Sequence, residues 1–166
     1  IGKGGAAGPP QSDTRFQGNS GGAGGHAISL QNVTANITVK SFSSIKGGGG
    51  GGGSGGASKG NRSFVDGVDG GCQFPETPDP GDSGGSGAGP NPAGAGSPSF
   101  PGGSGGDGGD FGQPGQAGTA ARAVGTCAVN TAGGDPGAAG KAIHHVANVT
   151  QNLTVQAAAT VAGATS

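Results

Sequence analysis

The chain has no tryptophan, tyrosine or methionine, and only two cysteines among its 166 residues. Valine, isoleucine, leucine and phenylalanine together make up about a seventh of the chain, which is less than an ordinary globular domain carries. A sequence of this kind does not supply a conventional side-chain core. Low hydrophobicity with abundant glycine, serine and proline is also typical of disordered chains, so the spacing of the glycines must decide between disorder and an ordered fold.

Charge is also scarce. Charged residues form 10% of the chain, and the formal net charge at pH 7 is −1. Lysine and arginine are scattered along the sequence, which excludes the basic patch of a nucleic-acid-binding or membrane-surface protein. No apolar stretch approaches the roughly 20 residues of a membrane-spanning helix. We therefore expect no nucleic-acid partner and no membrane insertion.

What the chain does contain is glycine, 44 of its 166 residues. A glycine stands at every third position from Gly103 to Gly118, and shorter stretches with the same period begin at Gly2, Gly18, Gly47, Gly81 and Gly134. Three residues per turn, without internal hydrogen bonds, is the geometry of the polyproline-II or polyglycine-II helix. Stripes of glycine let such helices approach closely and pair their N–H and C=O groups with one another.

The glycine spacing therefore predicts one domain, residues 1–166, that is mainly irregular or all-β in class. We expect a bundle or sandwich of polyglycine-II helices with little or no α-helix. Collagen is excluded because its triple helix needs a strict Gly-X-Y frame over long stretches, whereas these runs are short and interrupted.

Two stretches escape the glycine bias and resemble each other. The segment from Gly22 to Val39 aligns with the segment from Gly137 to Val155, with one residue inserted in the second. In both, a glycine run leads into Ala-Ile and then into alternating apolar and polar residues, which predicts half-buried strands at about 27–40 and 142–157. We interpret them as duplicated units, residues 18–40 and 134–157.

Both predicted strands contain Asn-x-Thr sequences. Five asparagines of the chain fit the acceptor pattern for N-glycosylation: Asn32, Asn36, Asn61, Asn148 and Asn152. Alternation of asparagine and threonine on the polar face of a strand produces the same pattern without any glycan. The sequence leaves both interpretations open.

The two cysteines, Cys72 and Cys127, allow two interpretations as well. A disulfide between them would close a loop of more than fifty residues, and the chain-entropy model assigns about 4 kcal/mol of stabilisation to such a bridge. They are equally compatible with two unrelated buried thiols, because a single pair of cysteines carries little pattern.

The residue types of catalysis and metal binding are nearly absent. The histidines are His26, His144 and His145, no serine lies in a nucleophile elbow, and neither cysteine has metal-site spacing. A calcium-repeat sequence occurs once, imperfectly, around Asp107 and Asp110, and such repeats bind calcium in tandem. We interpret both aspartates as outward side chains and expect no enzyme, no metal site and no cofactor.

The irregular stretches between the runs are the candidates for binding. They are Arg15 to Asn19, Ser58 to Pro80 and Pro90 to Phe100, and their aromatic side chains offer contact area at low entropic cost. The candidate contact residues are Arg15, Phe16, Arg62, Phe64, Phe74 and Phe100.

One protein family shares these motifs. The succession Gly-Gly-x-Gly-Gly-x-Gly-Gly-x-Phe-Gly-Gln-x-Gly-x-x-Gly, followed by Gly-Gly-x-x-Gly-x-x-Gly-Lys-Ala-Ile at 133–143, resembles the glycine-rich C-terminal domains of bacteriophage tail fibres and distal tail-tip adhesins. The resemblance is strongest over 101–155 and looser over 18–56. It implies a polyglycine-II sandwich, and it implies that the protein is located at the virion tail tip or is extracellular. The loops of such a sandwich bind bacterial outer-membrane proteins or surface sugars.

Two other functions fit the same composition. One is a subunit of an extracellular filament or matrix, because duplicated strands with exposed edges can pair between copies. The other is an ice-binding protein, since springtail antifreeze proteins also use polyglycine-II bundles. The shortage of core residues further predicts self-association as a homotrimer or filament.

Overall fold

A computed structural model describes residues 1–10, 17–59, 81–98, 102–122 and 129–166. Within these ranges the chain forms no helix, and its strands are β1 (Ile28–Val39), β2 (Ser44–Lys46), β3 (Ser58–Lys59), β4 (Val129–Asn130), β5 (Ile143–Val155) and β6 (Thr160–Ala162). Most other described residues belong to no regular element. The expected mainly irregular, all-β class is therefore confirmed, and β1 and β5 match the two predicted strands.

The glycine-rich parts of the described chain are extended runs joined by hydrogen bonds at every third residue. For example, the amides of Gly2, Gly5 and Gly8 donate to the carbonyls of Lys46, Gly49 and Gly52. This pattern delimits eight runs, numbered in chain order: run 1 (2–8), run 2 (18–25), run 3 (47–56), run 4 (81–88), run 5 (94–97), run 6 (103–109), run 7 (113–121) and run 8 (131–140).

Run 3 lies at the centre of this lattice, and all of residues 47–57 are buried. Its amides donate in rotation to runs 2, 4 and 7, while its carbonyls accept from runs 1, 6 and 8. These six neighbours are also bonded to one another around a ring, in the order 1, 2, 8, 7, 6, 4. Run 5 lies outside the ring, hydrogen-bonded to runs 4 and 6.

Close packing of the backbones explains the glycines of run 3. A Cβ added to Gly48 or Gly51 would lie far inside 3.0 Å of a carbonyl oxygen on run 1, a distance that packed side chains do not tolerate. Ser54 is the one exception in this run. It is fully buried, and its hydroxyl accepts a 2.7 Å hydrogen bond from the backbone N–H of Asn19.

Two features of the runs differ from the sequence prediction. The continuous run predicted from Gly103 to Gly118 is wrong, because the chain turns at Gly112, which has a φ of 69°. Beyond the turn the chain runs back, and the amide of Gln116 donates to the carbonyl of Asp107. Run 5 was not predicted, because the sequence Ala93-Gly94-Ala95-Gly96 repeats glycine in twos and not in threes.

The strands form three small sheets of two strands each. β1 pairs in parallel with β5, β2 pairs in parallel with β6, and β3 pairs antiparallel with β4. In the first sheet Ile28 lies opposite Ile143 and Val39 opposite Val155. The register shifts after Leu30. The residue skipped there on β5 is Val146, the insertion between the two similar segments.

Candidate functional site

The described runs alternate in direction, so the lattice has two different ends. Runs 1, 3, 5 and 7 lead towards one end, and runs 2, 4, 6 and 8 lead away from it. At this end, glycines at the ends of four outer runs approach the backbone of residues 54–56. They are Gly8, Gly18, Gly81 and Gly103. All four undescribed segments, 11–16, 60–80, 99–101 and 123–128, connect runs at this end. We call it the segment end.

Segment 60–80 begins beside the point at which segment 123–128 ends. Segment 60–80 follows β3, and segment 123–128 precedes β4, which is the antiparallel partner of β3. Next to this pair, the Thr131 hydroxyl donates a 2.8 Å hydrogen bond to the carbonyl of Ala57. Main-chain and side-chain hydrogen bonds therefore hold together the residue before segment 60–80 and the residue after segment 123–128.

The predicted contact residues and cysteines lie outside the described residues. Segments 11–16, 60–80 and 99–101 contain the six candidate contacts, Arg15, Phe16, Arg62, Phe64, Phe74 and Phe100. Asn61 and Cys72 also fall in segment 60–80, and Cys127 falls in segment 123–128. The disulfide thus stays a prediction, between two segments whose described neighbours β3 and β4 are paired.

The predicted binding stretches extend into the lattice. Of the stretch Pro90 to Phe100, residues 94–97 form run 5, held to run 6 by the carboxylate of Asp107, which accepts a 2.9 Å hydrogen bond from the Gly96 N–H. The turn at Pro90 and Asn91 lies at the other end of run 4. Gly18 likewise belongs to run 2, where its amide donates to Ala132.

The opposite end of the lattice carries β1, β2, β5 and β6, and we call it the strand end. Here asparagines at equivalent positions of the two similar segments form side-chain ladders from β5 to β1. Asn148 donates its amide N–H to Asn32 at 3.0 Å, and Asn152 donates to Asn36 at 2.9 Å. All four side chains are exposed. The Asn-x-Thr sequences therefore have a structural role in pairing the strands, and glycosylation of these positions stays a prediction.

Asn32 and Asn148 also adopt the left-handed conformation, with φ of 51° and 46°. Asparagine is one of the few residue types that tolerate it. On β1 this residue interrupts the two-residue alternation: Ile28 and Leu30 are half-buried before it, and Ala35 and Ile37 after it. Sequence analysis missed this role of the ladder, although the equal position of the asparagines in the two similar segments was a usable signal.

The turns that follow β1 and β5 are also alike. Phe42 has a φ of 61° and Ala158 a φ of 62°, and each lies two residues before the start of the next strand. Phe42 is 91% exposed. The strand end therefore presents an aromatic side chain to solvent, at the end of the lattice opposite the segment end.

A histidine cluster lies where runs 2 and 8 lead into β1 and β5. The His26 Nδ1 accepts a 2.9 Å hydrogen bond from the Lys141 backbone N–H, and its ring centroid lies 4.1 Å from that of His144. Partial burial lowers the pKa of His144 below its usual value, and the positive charges of His26, Lys141 and His145 lower it further. Both effects favour the neutral form of His144 in the folded protein.

A shallow groove of about 520 Å³ runs along run 1. Residues of runs 1, 2 and 4 form most of its lining, which also includes Gly89, Pro90 and Asn91. Within the described ranges no three histidine, cysteine, aspartate or glutamate side chains come together as metal ligands would. The same residues include no helix that is long and apolar enough to cross a bilayer.

Comparison with protein families identifies one match, which spans almost the whole chain. The family model described as phage tail fibre adhesin Gp38 matches residues 1–165. No curated protein and no solved structure matches the chain in the corresponding comparisons. Because the family match is nearly complete, the resemblance in the glycine motifs is confirmed: the chain belongs to the phage tail fibre adhesin family, whose members act at the virion tail and bind a host surface receptor.

Proposed function

We propose that this chain is a non-enzymatic receptor-binding domain that contacts the bacterial surface through its segment end. The receptor is an outer-membrane protein or a surface glycan. The contact residues are Arg15, Phe16, Arg62, Phe64, Phe74 and Phe100, all in segments that depart from that end. The convergence of the four segments on one end of the lattice is the observation that carries the proposal.

The lattice that displays these segments is, in this proposal, a bundle of polyglycine-II helices forming a single domain. The supporting observation is the rotation of partners along run 3. Successive amides of Gly48, Gly49 and Gly50 donate to three different runs, and Gly51 returns to the first of them. A helix with three residues per turn points its amides in three directions in this way. The paired segments 18–40 and 134–157 are duplicated units in the same proposal.

Rigidity of the scaffold suits this function. Every residue of run 3 is buried, and the lattice is bonded through the main chain in six directions. Because these bonds involve no side chains, the sequence of the connecting segments can vary without altering the scaffold. Binding surfaces on rigid supports lose little conformational entropy on association, which favours affinity.

The test compares two sets of phenylalanines in binding to host cells. Labelled wild-type domain is titrated onto a bacterial strain that binds it, beside the double variant F64A/F74A and the single variant Phe42→Ala. We expect the double variant to bind at least tenfold more weakly, since buried aromatic anchors dominate interface energies. Phe42, exposed at the strand end, is the matched control, and its substitution should leave binding unchanged.

Thermal unfolding of all three proteins checks that the substitutions leave the fold intact. Equal binding by wild type and F64A/F74A would contradict the assignment of the contact residues. Loss of binding in Phe42→Ala alone would move the receptor site to the strand end and overturn the proposal.

A further inference from the structure

The outer edge of β1 is an unpaired strand edge. The sheet contains only β1 and β5 among the described residues, so each strand has one edge without a strand partner. The edge of β5 is partly covered, because Ile143 bridges to Thr165 near the end of the chain. Along β1, by contrast, the described residues donate no backbone hydrogen bond from the outer side. An exposed edge of this kind is a template for another strand.

The asparagine ladders stop at β1 with unused donors. Asn32 and Asn36 accept hydrogen bonds from β5 through Oδ1. Each also carries a side-chain Nδ2 with two N–H groups, which have no partner among the described residues. The amide group is planar and its nitrogen points away from its oxygen, so an oxygen turned towards β5 leaves the nitrogen free to extend the ladder.

We propose that the β1 edge binds a third parallel strand, supplied by another polypeptide with asparagine at two positions four residues apart. The oxygens of those asparagines accept hydrogen bonds from Asn32 and Asn36, as these two accept from β5. Main-chain pairing along the edge supplies affinity, and the ladder fixes the register. The incoming strand thus repeats the relationship that the molecule already contains between β1 and β5.

A second copy of this chain fits the edge less well than a different polypeptide. It would have to offer the outer edge of β5, where Thr165 already bridges to Ile143. Such a contact would also be head-to-tail, so copies would assemble into a ring or an open filament and not into a symmetric pair. The edge lies at the strand end, so it remains accessible while the segment end is occupied. The proposal does not depend on where the receptor binds.

The experiment uses the complete chain and a fluorescent synthetic peptide with the sequence of residues 146–156. Fluorescence anisotropy measures binding, and hydrogen exchange measures protection of the β1 amides. We expect saturable binding with slower exchange across 28–39. The peptide with both asparagines replaced by alanine should bind at least tenfold more weakly.

Variants of the protein separate the ladder from the charge. In the double variant N32D/N36D each side chain keeps an oxygen that accepts from β5 but loses the outward N–H donors, and we expect at least tenfold weaker peptide binding. Gln31→Glu adds a charge to the same strand without touching the ladder, and its affinity should stay within twofold of wild type. Thermal midpoints close to that of the wild type show that the variants remain folded.

Three results of the peptide experiment would overturn the proposal. They are no saturable binding, equal binding by the two peptides, and protection that falls outside β1. Concentration-dependent dimers in sedimentation that disappear in N32D/N36D would assign the edge to a second copy instead. None of these readouts involves host cells, so failure here is distinguishable from failure of the proposed receptor site.

Discussion

Run 3 and the paired strands β1 and β5 both depend on main-chain hydrogen bonds, yet they treat side chains in opposite ways. In run 3 the neighbouring backbones leave no room for a Cβ at the glycines. In the sheet, residues of equal position stack across the pair, and asparagines bond to each other through their side chains. Backbone pairing alone therefore sets no requirement for glycine. The requirement comes from how closely neighbouring runs approach: most glycines of run 3 and many of the outer runs leave no room for a Cβ, whereas Gly25 has about 3.1 Å to its nearest neighbouring atom.

Substitution of two glycines that are hydrogen-bonded to each other tests this requirement, and it should give the largest change in stability. The Gly48 amide donates to the Gly25 carbonyl at 2.9 Å. A Cβ on Gly48 would overlap the Lys3 carbonyl oxygen, whereas the nearest atom to a Cβ on Gly25 is the Lys3 nitrogen at 3.1 Å. We expect Gly48→Ala to prevent folding or to cost at least about 3 kcal/mol, as overpacking does at its upper range. Circular dichroism during thermal unfolding measures it.

Gly25→Ala is the matched control. It adds the same methyl group at the same level of the lattice but on an outer run, and it reduces the entropy of the unfolded chain. Its cost should stay below about 1 kcal/mol. Equal losses in the two variants would show that the room left for a Cβ does not decide the cost of substituting these glycines.

The next effect concerns Ile143, the largest fully buried side chain among the described residues of the strand end. Ile143 is fully buried, while Ile28, its partner in the register, is half-buried. We expect Ile143→Ala to lower the free energy of unfolding by about 2 to 5 kcal/mol, the usual cost of removing a buried aliphatic side chain. Ile28→Ala should cost clearly less. Urea denaturation of both variants measures the difference.

A similar loss in both variants would contradict the asymmetry between the two similar segments. A negligible loss at Ile143 would show that the strand end, like the lattice, depends little on apolar burial. Either result would change the contrast between the two regions.

Glycine periodicity and strand alternation predict much of this fold, because both are local consequences of chain geometry. The stretch Gly47 to Gly56 is a run as its period of three predicts, and the alternating residues around Val33 and Val149 lie on the paired strands. The alignment of the two similar segments, including the inserted residue, coincides with the register of the sheet. When two similar segments pair in parallel, equivalent residues lie opposite each other, so the sequence alignment also predicts the register.

The remainder depends on interactions between distant residues. The turn at Gly112 keeps the glycine period, so sequence spacing does not reveal it. Run 5 lacks the period but finds donors and acceptors on runs 4 and 6. The grouping of the connecting segments at one end follows from the alternating direction of the runs, which no local pattern encodes. For the candidate binding site, the sequence indicates which residue types are suited to contact a receptor. Only the topology shows that segment 60–80 begins where segment 123–128 ends.

The smallest expected effect is a pH dependence at the junction between the two regions, where His144 lies against His26. Partial burial and nearby positive charges lower the pKa of His144 in the folded protein. The unfolded chain, with the ordinary histidine pKa of about 6.5, therefore takes up the proton first as the pH falls. Stability should thus decrease as the pH drops below about 6.5.

Thermal midpoints at about pH 7.5 and about pH 5.5 measure this change while most carboxylates stay ionised. We expect wild type to lose stability over this range and His144→Gln to lose less, because the neutral amide cannot take up a proton. His145→Gln tests the rest of the cluster: it removes one of the positive charges acting on His144 and should reduce the drop only in part. An identical drop in wild type and His144→Gln would place the titrating group elsewhere, and the junction would then respond to pH no differently from the lattice or the strands.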